Sequence, residues 1–219
     1  MILLVGGEKG GVGKTTLATH LAVLRARAGR AVLLDADPQG TASGWADSRK
    51  DLAQQVFQIP CLSVRGRGVN AELREMALTY DDVIVDCGGA DSAEFRSGLL
   101  AAHTVLLPLR PGTFDYWTLA KLGEVLSLVD DYNPNLQAVV VLTQVPSTAY
   151  ERARREIETV LAELPRFKLL NTLIVFRAAF THASSDGRIV HEMPRRDPRA
   201  CSEITLLHDE LFGRAAEEA

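Results

Sequence analysis

Short apolar runs alternate along this chain with stretches in which apolar residues recur every three or four positions. Ile2-Leu3-Leu4-Val5 reads as a buried strand, and Leu17, Leu21 and Leu24 fall on one face of a helix that Gly29 can end. Ala31-Val32-Leu33-Leu34 reads as a second buried strand, residues 59–64 as a weaker one, and residues 69–78 as a helix. Asp82-Val83-Ile84-Val85-Asp86 is a strong strand pattern, and residues 104–107 form another that Pro108 is expected to stop. A long helix is predicted over 115–129, a turn at Asn133-Pro134-Asn135 and a strand over 138–143. An Arg- and Glu-rich helix over 149–164, a strand over 168–174 and a last helix from about 202 complete the pattern. Strands apolar at successive positions are buried on both faces, and helices between them make parallel crossovers. The expected fold class is therefore α/β: a doubly wound, mostly parallel sheet flanked by helices. No repeat, low-complexity tract or Gly/Pro/Ser-rich linker divides it, so one domain over 1–219 is expected.

Composition changes this picture little. The chain has 219 residues, 47% hydrophobic and 24% charged, which is enough to bury a full core. Net charge is −4, so no overall basic balance points to nucleic acid, but residues 149–200 hold ten Lys/Arg against seven Asp/Glu. Cys61, Cys87 and Cys201 are scattered with no C-x-x-C pair, against a disulfide framework, an iron–sulfur site or a zinc site. The chain enters a strand at once, so no signal peptide is expected. No run reaches the roughly 18 apolar residues of a membrane span.

The chemistry concentrates after the first strand, in Glu8-Lys9-Gly10-Gly11-Val12-Gly13-Lys14-Thr15-Thr16. A strand, a glycine-rich loop and a helix in succession form a phosphate-binding loop, because glycines let backbone N–H groups converge on an anion and the helix adds its positive end. Lys14 would reach the β/γ-phosphates and the Thr15 hydroxyl would ligate Mg²⁺, with Gly10, Gly11, Val12, Gly13 and Thr16 completing the nucleotide contacts. Two acidic sites follow at strand ends, the edge where such sheets bind ligands. Asp86 would hold Mg²⁺ through a coordinated water. Asp35-Ala36-Asp37-Pro38-Gln39-Gly40 is the second site, and it also reads as turn chemistry.

Glu8 replaces the first glycine of the usual pattern, and Lys9 stands inside the loop. Lys9 to Thr16 thereby resembles the deviant Walker A motif of the ParA/MinD family of P-loop ATPases. The resemblance implies that Lys9 crosses a dimer interface to the partner's phosphates, that Asp37 positions the attacking water, and that Asp35 supports the magnesium shell. It implies ATP and Mg²⁺ as cofactors, an ATP-dependent homodimer, non-specific DNA on the nucleoid, and a ParB-like or cargo adaptor protein that stimulates hydrolysis. It extends through 105–111, with Pro111 among the nucleotide contacts, to Asn171-Thr172-Leu173-Ile174 and 185–190, and it is loose after about Pro111. The start at the first strand is similar to the short, ParF-type partition ATPases, which carry no helix-turn-helix domain. Gly7 and His182 depart from common family residues.

For DNA, Arg177, Arg188, Arg195, Arg196 and Arg199 are the candidates, with Arg152, Arg154, Arg155, Arg166 and Lys168 behind them. The α-helical arginines also read as a solvated face with i,i+4 pairs such as Glu151–Arg155. Histidines, Trp45, Tyr116, Trp117 and Cys87 read as packing or surface residues. The expectation is an ATP-hydrolysing partition switch in the cytoplasm. A MinD-like membrane-surface ATPase is one alternative, disfavoured by the acidic tail from Leu206 to Ala219. An ATP-dependent metabolic ligase of the same fold is the other.

Overall fold

A computed structural model of the chain describes all residues except 8–9, 90–91, 113–115 and 214–219, and the side chains of 116–118. Strands β1 (Ile2–Val5), β2 (Ala31–Asp35), β3 (Cys61–Ser63), β4 (Asp82–Asp86), β5 (Thr104–Leu109), β6 (Gln137–Val145) and β7 (Phe167–Val175) form one sheet. Its order is β3-β2-β4-β1-β5-β6-β7, and every neighbouring pair is parallel. Helices α1 (Lys14–Ala28), α2 (Thr41–Asp51), α7 (Ala178–Ser185) and α8 (Pro198–Phe212) contribute to one core. Helices α3 (Val69–Thr79), α4 (Ala93–Leu99), α5 (Tyr116–Ser127) and α6 (Tyr150–Leu161) contribute to the other.

The uninterrupted apolar strands are explained by this two-sided burial. In β1, Ile2 and Leu4 enter one core while Leu3 and Val5 enter the other; in β4, Val83 and Val85 oppose Ile84 in the same way. Register then places the chemistry. Asp35 pairs with Asp86 across β2 and β4, and Asp86 pairs with Val5 at the end of β1. Two carboxylates and the loop after β1 thus meet at one carboxyl edge.

Three local expectations need correction. β5 runs through Pro108 to Leu109. Leu106 O accepts the Gly6 N–H, so the alternation turns Pro108 toward the same side, beyond the last paired residue of β1. No ladder donor is missing there, and Pro108 keeps its register with Val141. The 59–64 strand shortens to Cys61–Ser63, an exposed edge that pairs only with β2. Helices α2, α4 and α7 were not foreseen: α2 carries Ser43, Gly44 and Asp47 among its apolar residues, and the other two span only seven and eight residues.

Candidate functional site

The chain leaves β1 and reaches a loop whose glycines hold backbone shapes that other residues resist. Gly11 has φ +73° and Gly13 has φ +95°, both left-handed. α1 starts at Lys14 with no side-chain cap and no acidic residue in its first turn, so its N–H groups and positive dipole end are available to an anion. β6 supports the loop from beside it. The buried Thr143 hydroxyl donates to Val12 O at 2.8 Å, and Gln144 Nε2 donates to Gly11 O at 2.6 Å. Lys9, on which the crossing-lysine reading rests, lies outside the described residues.

Next to the loop, Thr15 Oγ1 donates to Asp86 Oδ2 at 2.6 Å, while the buried Asp86 Oδ1 has no hydrogen-bond partner among the described residues. Burial pushes the Asp86 carboxyl up to about 7; Asp35 and Asp37 add to the rise, and the Thr15 hydroxyl and Lys14 oppose it. A buried, half-satisfied carboxylate touching a hydroxyl is a hard oxygen donor set that fits Mg²⁺. Asp35 is differently employed. Its Oδ1 accepts the Asp37 N–H at 3.1 Å and its Oδ2 the Ser43 N–H at 2.7 Å, so both oxygens brace the loop into α2. Asp37 Oδ1 accepts the Gln39 N–H at 3.0 Å, and its Oδ2 has no hydrogen bond among the described residues. A Cβ on Gly88 would stand 3.2–3.3 Å from the Asp37 carboxyl group, so a residue without a side chain lets the two loops close together. The resulting polar cleft of ≈490 Å³ is lined by the loop glycines, Lys14, Thr15, Thr16, Asp37 and Gln39.

A second cleft of ≈260 Å³ adjoins it, sharing Gly13, Thr16 and Gln144, and is walled by Val12, Leu17, Ile174, Phe176 and Phe180. A polar cleft for phosphates continuous with an apolar one for a flat ring suits a nucleotide. Pro111 lines a third cleft with Arg110, Gly112, Pro146 and Arg152, which shares Gln144 with each of the other two. Sequence reasoning missed Thr143, Gln144, Phe176 and Phe180. The signal for the first two was present, as a polar pair that ends the apolar run of β6 at the ligand-binding edge.

The arginine candidates separate. Arg177 is bound by Glu203 at 2.6 Å with Asp197 at 3.9 Å, and Arg188 by Glu192 O and Gln55 Oε1. Arg195, Arg196 and Arg199 are exposed and make no ion pair among the described residues. On α6 the pairs are Arg152–Glu156 and Arg154–Glu158, each i,i+4, rather than Glu151–Arg155. Arg166 pairs with Asp130. The Cys87 thiol is pushed by burial to about 12 and is inert at neutral pH.

No helix among the described residues is long and apolar enough to cross a membrane, and α8 commits Ala200, Ile204 and Leu207 to the core. The CobQ/CobB/MinD/ParA nucleotide binding domain family matches residues 3–190. Maintenance of carboxysome distribution protein A of Halothiobacillus neapolitanus is 30% identical over 212 residues, covering 96% of this chain and 95% of that protein. The chromosome-partitioning ATPase Soj of Treponema pallidum is 27% identical over 223 residues, covering 84% and 87%. Among solved structures, apo McdA from Cyanothece superposes with a TM-score of 0.76 at 17% identity, covering 96% of this chain and 98% of that one.

Proposed function

Because the chain belongs to the CobQ/CobB/MinD/ParA nucleotide-binding family, we propose that it is a Mg²⁺-dependent ATPase switch that positions a cargo. One observation carries the reading. The Thr15–Asp86 pair, with Asp86 Oδ1 buried and unpartnered among the described residues, stands beside an anion-binding loop at the same sheet edge. When bound, Mg²⁺ supplies charge neutralisation for the triphosphate, with Thr15 and Asp86 as its holders and Asp35 as a brace behind them. Lys14 and the N–H groups from Gly10 to Thr16 bind and orient the phosphates. Asp37 Oδ2 accepts a hydrogen bond from the attacking water and aligns it. Such positioning is the larger part of phosphoryl-transfer catalysis.

In this reading Lys9 reaches the phosphates of a partner protomer, so ATP holds a homodimer together. The dimer would associate non-specifically with DNA in the cytoplasm through Arg195, Arg196 and Arg199, while Arg177 and Arg188 hold the fold. An adaptor protein would stimulate hydrolysis. The relatives named above, a carboxysome-distribution protein and a chromosome-partitioning ATPase, support a protein assembly or a DNA molecule as the cargo. Membrane attachment is the weaker reading, because the apolar face of α8 is already packed in the core.

The test is phosphate release from Mg·ATP with no added acceptor, alongside retention of random-sequence duplex. Asp37→Ala should bind ATP yet lose about 100-fold or more in turnover. Substituting Arg195, Arg196 and Arg199 together should flatten the salt dependence of DNA binding by about one log–log unit per arginine. Phosphate release that requires a carboxylate acceptor would replace this reading with a ligase.

A further inference from the structure

Thr143 and Gln144 follow one another at the end of β6, yet both reach the same loop. In a regular strand successive side chains leave opposite faces of the sheet. The chain departs from that rule at Gln144, whose backbone is left-handed at φ +53°, where the β6–β7 register also shifts between Leu142 and Val145. A non-glycine residue in this conformation persists only where its surroundings hold it there. Here the departure lets the Gln144 amide reach 133 residues back to Gly11 O at 2.6 Å.

The consequence follows from peptide geometry. A trans peptide is planar, so its C=O and the next N–H point in opposite directions. Holding Gly11 O fixes where the Val12 N–H points; holding Val12 O, through Thr143, fixes the Gly13 N–H in the same way. These are loop N–H groups of the kind that cradle an anion. We propose that Gln144 is a positioning residue for phosphate binding: its amide holds the Gly11 carbonyl and thereby sets the loop N–H groups that receive the phosphates. The proposal rests on the nucleotide reading above and names a residue that reading does not use. Because Gln144 also borders the apolar cleft, the rival role is a hydrogen bond to the base.

The deciding experiment compares Mg·ATP with tripolyphosphate, which has phosphates but no base, as competitors for a fluorescent ATP analogue. Gln144→Gly accepts the left-handed backbone and removes only the amide. It should melt within a few degrees of the parent, and both competitors should weaken together by about tenfold, the scale of one hydrogen bond. Gln144→Lys, which restores a donor of sufficient length, should recover binding to within about threefold of the parent. Loss of ATP affinity with tripolyphosphate unchanged would overturn the proposal in favour of base recognition. Unchanged affinity for both, or no recovery with lysine, would overturn it outright. A parent protein that binds neither competitor would overturn the nucleotide reading as well, a result separable from failure of the variants alone.

Discussion

Asp86 and His20 are buried titratable groups that press stability in opposite directions. Burial raises Asp86 to about 7, so between roughly pH 4 and 7 the folded state holds a proton that the unfolded chain has released. Stability of the nucleotide-free protein should therefore fall as pH rises through that window. Asp86→Asn, which keeps an acceptor for Thr15, should melt several degrees above the parent at pH 8 and lose the added stability that Mg²⁺ gives with nucleotide. A variant that melts lower at pH 8 would contradict this assignment. His20 shows the reverse. Burial lowers it to about 4, against the Thr16 carbonyl at 2.7 Å, and its Nε2 accepts the Val190 N–H at 3.1 Å. Its contribution is present above pH 6.5 and is lost as pH falls toward 4, by about 1.4 kcal/mol per unit. His20→Gln, able to donate to Thr16 and accept from Val190, should gain on the parent as pH drops from 7 to 5. Because the two slopes overlap, each is read from differential scanning of variant minus parent. At this scale the sequence exposed the residues but not their burial. Lys14, Thr15, Asp37 and Asp86 stood out by motif. His20, on a helix with no other clue, could not be told from a surface histidine.

The elements are joined by one buried ion pair that no pattern announced. Arg49 on α2 is 1% exposed, lies over the Trp45 ring at 5.1 Å and donates to both Glu192 oxygens at 2.7 Å. It also donates to Gly187 O and Phe57 O, so α2 and the 187–192 segment form a single body. Arg49→Met should cost about 3–5 kcal/mol, because Glu192 then stays buried with only Arg27 opposite. Urea midpoints measure it, and adding Glu192→Gln should recover part of the loss. A cost under about 1 kcal/mol would show that the pair is not held from water. Strands β1, β2 and β4 were legible because burial on both faces writes an unbroken apolar run. Helix α2 was not, because its buried face is Ala42, Trp45, Ala46 and Arg49, two small residues and a charged one around a single tryptophan, which write no strong apolar stripe. β5 was cut short by a rule about proline that holds only where a neighbouring strand needs its donor.

At the scale of the molecule, the parallel sheet brings Asp35, Asp86 and the phosphate loop to one edge, and that convergence was readable from strand ends alone. Its extension was not. The apolar cleft is built where β7, α7 and Gln144 face Val12, Thr16 and Leu17, which lie far earlier in the sequence and meet them only through the crossover topology. The arginines needed the structure too, since Glu203 and Gln55 separate Arg177 and Arg188 from the exposed group at 195–199. In the proposed function ATP would join two protomers, each supplying Lys9 to the other's phosphates. Sedimentation velocity of Asp37→Ala with Mg·ATP, with and without Lys9→Ala, tests it most directly. Asp37→Ala should sediment as a dimer and the double variant as a monomer at equal nucleotide occupancy. A double variant that dimerises as readily, or an Asp37→Ala protein that stays monomeric at every concentration while loaded with ATP, would contradict it.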